Sequence, residues 1–111
     1  MRPDDITKIV NAELAERDSF EWPETWQDKI QDFIIEPFEG NFFNPISQEF
    51  EDFWVVANLE SENPDEGYLI IYDVDTDLFG LALKLELFDD GSGEVIGLYG
   101  TMAVCLENIP M

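Results

Sequence analysis

Near the N-terminus, apolar residues recur at helical spacing. Ile6, Ile9, Val10 and Leu14 form one stripe between polar neighbours, which predicts an amphipathic helix over residues 4–16. Asp4 or Asp5 supplies a carboxylate to cap its positive end. A second stripe, Trp26, Ile30, Phe33 and Ile34, has Pro23 at a first helical position and Pro37 beyond it, and predicts a second helix over 23–35. Residues 38–45, Phe-Glu-Gly-Asn-Phe-Phe-Asn-Pro, break both periodicities and read as a loop. Asn44 then caps a short third helix that starts at Pro45 and carries Ile46 and Phe50 on one side.

From residue 53 the period shortens to two. Phe53–Leu59, Tyr68–Tyr72, a run from Phe79 and Glu94–Tyr99 read as four strands between turn-rich clusters. The run from Phe79 alternates most cleanly. Phe79, Leu81, Leu83, Leu85 and Leu87 take one face, and Gly80, Ala82, Lys84 and Glu86 the other. Thr101 caps a last helix containing Met102, Val104, Cys105 and Ile109. Short connections between successive strands favour an antiparallel meander with helices on one face. The expected fold is α+β: two N-terminal helices and a short third, a four-stranded meander and a short C-terminal helix, in a single globular domain spanning 1–111.

Charge changes this picture most. The 111 residues include 26 Asp and Glu against 5 Lys and Arg, a formal net charge of −21, with no His. Binding to nucleic acid depends on Lys and Arg contacts to phosphate, so a general nucleic-acid binder is excluded and an anionic membrane is disfavoured as a partner. No apolar run approaches the ~20 residues of a membrane-spanning helix, and Met1-Arg2-Pro3-Asp4-Asp5 lacks the apolar core of a signal peptide. A cytoplasmic location is expected. Spread over ~6,300 Å² of folded surface, the net charges stand ~17 Å apart, about twice the ~8 Å Debye length at physiological salt. A domain of this size is ~34 Å across, a length over which duplex DNA carries about 20 phosphates. The total charge is therefore compatible with occupying a cationic, DNA-binding partner, and equally with adaptation to a salty cytoplasm.

The absence of His removes the commonest general base and transition-metal ligand, and with them histidine triads and zinc sites. Cys105 has no partner for an internal disulfide, and its expected place is the core. Asp73-Val74-Asp75-Thr76-Asp77 opens like a calcium loop, but Leu78 and Lys84 stand where that motif requires Gly and Glu. An acidic turn is the expected reading. The adjacent carboxylates Asp89-Asp90, Asp65-Glu66 and Glu51-Asp52 lie in or beside turn-like stretches, whereas a proton-donating acid needs burial. No catalytic residue, metal ligand or cofactor is assigned.

The stretch from Phe20 to Trp54 holds every Trp in the chain and most of its Phe residues. Trp26, Phe33, Phe50 and Trp54 are expected in the core. Trp22, Phe42 and Phe43 fall in loops or at a helix entry and are the candidate exposed anchors for a protein partner. Between Lys29 and Lys84 there is no cation, and Glu60, Glu62, Asp65, Glu66, Asp73, Asp75 and Asp77 form a field of one sign that would steer a basic protein. In size, acidity and mixed α/β pattern the chain is similar to the immunity proteins that neutralise bacterial toxins, cationic nucleases in particular. That resemblance implies a non-catalytic inhibitor with a basic protein partner. An acidic adaptor domain and a small carboxylate enzyme are the alternatives.

Mutual repulsion among the carboxylates should weaken the fold at low ionic strength. The melting temperature is expected to be higher in 0.3 M than in 0.01 M NaCl, as calorimetry would show. Equal melting temperatures would remove net repulsion as a significant opposing force.

Overall fold

A computed structural model describes residues 2–16, 22–59, 67–84 and 93–109. The elements run α1 (Pro3–Leu14), α2 (Glu24–Gln27), a 3-10 turn (Ile30–Phe33), β1 (Ile34–Asn44), β2 (Glu49–Asn58), β3 (Tyr68–Asp73), β4 (Leu78–Lys84), β5 (Gly93–Gly100) and α3 (Met102–Glu107). Successive strands pair antiparallel, as a meander requires, and β5 then pairs in parallel with β1 to close a barrel. The α+β class stands. The sheet has five strands rather than four, and it is closed rather than open.

Closure divides the apolar residues into two sets. Phe42, Phe53, Val55, Leu69, Ile71, Ala82 and Val95 form one cluster drawn entirely from strands. The other joins the outward residues of β2, β3 and β4 to every buried helical residue, including Ile6, Val10, Leu14, Trp26, Met102 and Leu106. A helix is ~10 Å wide and cannot enter a five-stranded barrel, so the strand-only cluster fills the interior and the helices pack outside. Alternation along β4 is as expected, with Phe79, Leu81 and Leu83 against the helix layer and Ala82 facing inward. Leu85 and Leu87 lie outside the described residues.

Three expectations fail within residues 23–50. The second helix is only the single turn Glu24–Gln27 followed by the 3-10 turn. Its apolar face survives, since Trp26 and Ile30 are buried and the Phe33 ring meets that of Trp26 edge-on at 5.7 Å. From Ile34, however, the backbone is extended and pairs with Ala57 of β2. Pro37 does not stop a helix. It sits in β1 where four steps along that strand, from Ile34 to Phe38, match two along β2, from Ala57 to Val55, a bulge that tolerates the missing N–H of proline.

The expected loop over 38–45 is strand. Gly40 is present because the Phe42 ring folds back across it, leaving only 2.9 Å to any Cβ placed there. The expected short helix at Pro45 is the hairpin turn between β1 and β2. Asn44 does cap, but it caps this turn, with its Oδ1 accepting from the Ile46 N–H at 3.0 Å. Gln48 completes the turn in the left-handed region (φ 60°).

At the helical ends the sequence reading is close. Asp5 accepts from the Arg2 N–H at 3.0 Å at the start of α1, and Thr101 Oγ1 accepts from the Val104 N–H at 3.2 Å at the start of α3. Glu13 of α1 also accepts from the Met102 N–H at 2.8 Å, tying the two helices together. Among the described residues no helix is long and apolar enough to cross a membrane.

Phe42 is fully buried in the interior and Ile46 is 87% exposed at the hairpin tip. Phe42→Ala should cost about 3–5 kcal/mol, whereas Ile46→Ala should stay within about 0.5 kcal/mol. Equal small losses in urea unfolding would mean that Phe42 does not fill an enclosed interior.

Candidate protein-binding surface

The barrel's outer surface is covered unevenly. Helix α1 packs against β1 and β2 and α3 against β4 and β5, whereas the hairpin that joins β1 to β2 and the neighbouring outward position of β5 carry exposed apolar groups. Phe50 is 52% exposed, Ile96 44% and Ile46 87%. Register explains the grouping. Phe43 of β1 stands opposite Phe50 of β2 and beside Glu94 of β5, so Glu94, Phe43 and Phe50 make a row across three strands. The two rings meet at 5.4 Å between centroids. In the next outward pair, Asn41 stands opposite Asp52 and its side-chain amide donates to Asp52 Oδ1 at 2.9 Å.

The hairpin tip beyond this row is held by a carboxylate. Glu51 Oε2 accepts from the Asn44 amide at 2.8 Å and from the Ser47 hydroxyl at 3.0 Å. Tyr72 of β3 is opposite Trp54 of β2, so the β3–β4 turn runs past the earlier residues of β2 and lies at the same end of the barrel as the hairpin tip. That turn is the acidic segment 73–77. Asp73 accepts from the Asp75 N–H at 3.2 Å and from the Thr76 hydroxyl at 2.8 Å. Asp77 adopts the left-handed conformation (φ 57°) and accepts from the buried Tyr72 hydroxyl. Burial raises the Tyr72 hydroxyl to about 12, with contributions from the hydrogen bond to Asp77 and from the charges of Asp77 and Asp73. The calcium-like spacing therefore serves a turn whose acids bond its own backbone and side chains. Among the described residues no group of three or more potential ligands is placed to hold a metal ion.

The sequence-predicted anchors separate. Trp22 is 5% exposed and packs in the helix layer, and Phe42 fills the barrel interior. Neither is available to a partner. Phe43 is half-buried beside Phe50 on the outer face, and Phe50, expected in the core, is the more exposed ring of the pair. Asp73, Asp75 and Asp77 come together at the turn, while Glu60, Glu62, Asp65 and Glu66 lie outside the described residues. The hairpin could have been found in the sequence, since Phe43 and Phe50 are symmetric about Pro45–Gln48 and a four-residue turn sets them opposite one another.

Cys105 is fully buried, and burial, with the nearby charge of Glu13, pushes its thiol up to about 12. Such a thiol is a core group rather than a nucleophile. No protein-family profile, curated protein or solved structure matches the chain.

Both raised groups hold their protons in the folded chain at a pH where the unfolded chain releases them. Their stabilisation is complete below the ordinary pKa values, 9.0 for the thiol and 10.0 for the hydroxyl, and is lost as pH rises toward about 12. The urea midpoint should fall above about pH 9. It should fall less steeply for Cys105→Ala between about pH 9 and 10, and less steeply for Tyr72→Phe above about pH 10. Slopes identical to wild type in both variants would contradict these assignments.

Proposed function

We propose that the protein is a non-catalytic binding module that occupies a basic protein partner, in the manner of an immunity-type inhibitor of a cationic toxin such as a nuclease. The observation that carries this reading is the Phe43–Phe50 pair, set at the hairpin end of β1 and β2 between Glu94 and Asp52, with Phe50 half exposed. Aromatic rings bring large contact area at low entropic cost, and a rim of one charge selects a partner of the other. The acids of the 73–77 turn stand at the same end of the barrel and extend the field. Hydrogen bonds hold the side chains of Asp73 and Asp77 in place. With no cation between Lys29 and Lys84, nothing in that part of the chain offsets them.

Such a surface acts in two separable ways. Charge accelerates encounter, and desolvated aromatic contact slows escape. With a basic protein retained on the immobilised chain, Asp73, Asp75 and Asp77 replaced together by Asn should slow association about 10-fold at low salt and flatten its salt dependence. Phe43→Ala with Phe50→Ala should instead speed dissociation about 30-fold, equivalent to about 2 kcal/mol. Stopped-flow kinetics reads both, with circular dichroism confirming that each variant is folded. If no basic protein is retained, or if the acid variant associates at the wild-type rate at every salt concentration, the reading fails.

A further inference from the structure

Resting on that reading, we propose that the outward face of the β1–β2 hairpin is an arginine-binding site, at which a guanidinium of the partner stacks on Phe50 and Phe43 and donates to Asp52. Three features of the surface converge on this ligand. The first is an exposed aromatic face, with Phe50 half open to solvent and Phe43 tilted against it. The second is a carboxylate within reach on the same face. Asp52 is two residues along β2 from Phe50, ~7 Å at strand spacing, and a cation over a ring sits within ~6 Å of its centroid. The third is preorganisation. The Asn41 amide already holds Asp52 Oδ1 at 2.9 Å, so the carboxylate need not be ordered when the ligand arrives. Glu94, beside Phe43 on β5, adds a second negative group on the far side of the rings.

Arginine fits these features better than lysine does. A guanidinium is planar and weakly hydrated, so one face lies on a ring while the N–H groups along its edge donate to a carboxylate. An ammonium is a compact, strongly hydrated charge that meets the carboxylate but gives up water to meet the ring. The acidic turn at 73–77 has no exposed aromatic ring among its own residues and would not distinguish the two cations.

The test is a heteronuclear NMR titration of the full chain in 0.02 M NaCl. The probes are a blocked octapeptide alternating arginine with glycine and its lysine counterpart of equal charge. The arginine peptide should bind about 5- to 10-fold more tightly, with amide shifts centred on residues 41, 43, 50, 52 and 94. Phe50→Ala should bring the ratio of affinities to about 1. Asp52→Asn, a surface change of almost unaltered shape, should lower arginine affinity more than lysine affinity. The combined Asp73→Asn, Asp75→Asn and Asp77→Asn variant should weaken both peptides equally and preserve their ratio. Equal binding of the two peptides by the wild-type chain, or shifts confined to 73–77, would overturn the arginine site while leaving a basic partner in place. Failure of both peptides to bind at this salt would overturn both proposals. A dimer in sedimentation velocity that shields Phe50 would give the face to a second copy and overturn the site.

Discussion

Closure of five strands around a narrow interior is the constraint from which the rest of the structure follows. The seam between β1 and β5 is short, with Phe42 opposite Gly93 and Phe43 opposite Glu94. Phe42 fills the space behind that seam and depends on Gly40, where a Cβ would meet its ring. Next to the seam, a Cβ on Gly80 would fall 2.4 Å from the Gly97 carbonyl oxygen, so β4 and β5 approach more closely than any other residue allows there. An interior this small admits Val, Ile, Leu and Ala and the rings of Phe42 and Phe53. The Trp and Tyr residues of the core and the buried Met102 are accordingly displaced outward, and they need a helix layer to cover them. The helices are a consequence of closure as much as a partner to it.

The same constraint separates what could be read in the sequence from what could not. Alpha1, α3, β3, β4 and β5 were legible because each is either buried along one stripe or marked by a cap or turn at its ends. Beta1 was not, because closure buries its two faces unequally. Phe42 points inward and Phe43 outward, so the pair reads as a break in alternation rather than as two sides of a strand. Pro37 and Gly40 look like breakers, yet one occupies a bulge and the other makes room for a ring. The Trp26–Ile34 stripe illustrates the complementary failure. Spacing identified correctly that Trp26 and Ile30 are buried, but a run of apolar residues at helical spacing is also met by a short helical turn, a 3-10 turn and the first residue of a strand. Ile34 and Ile35, β-branched and just ahead of Pro37, favour the extended ending.

For the candidate site, residue type was legible and exposure was not. Aromatic density and charge sign singled out the stretch from Phe20 to Trp54, which contains both rings of the candidate surface. Choosing among Trp22, Phe42, Phe43 and Phe50 required knowing which side of a closed sheet each one faces, and a shift of one position exchanges interior for surface. Phe42 and Phe43 are neighbours in sequence with opposite fates.

On the proposed reading, the acids of the 73–77 turn serve folding and recognition with the same groups. Asp73 bonds Asp75 and Thr76, and Asp77 takes the Tyr72 hydroxyl, but a carboxylate that accepts hydrogen bonds keeps its charge and its long-range field. Asparagine retains an accepting oxygen while removing that charge, so it separates the two contributions, whereas alanine removes both. The hairpin divides the work differently: Glu51 holds the tip and Asp52 is oriented by Asn41. A chain of net charge −21 places these acids against one another at a cost in electrostatic repulsion, which screening by salt lowers. A cationic partner seated on the hairpin would lower the same cost locally. By linkage, its binding and the stability of the acidic end of the barrel would then rise together.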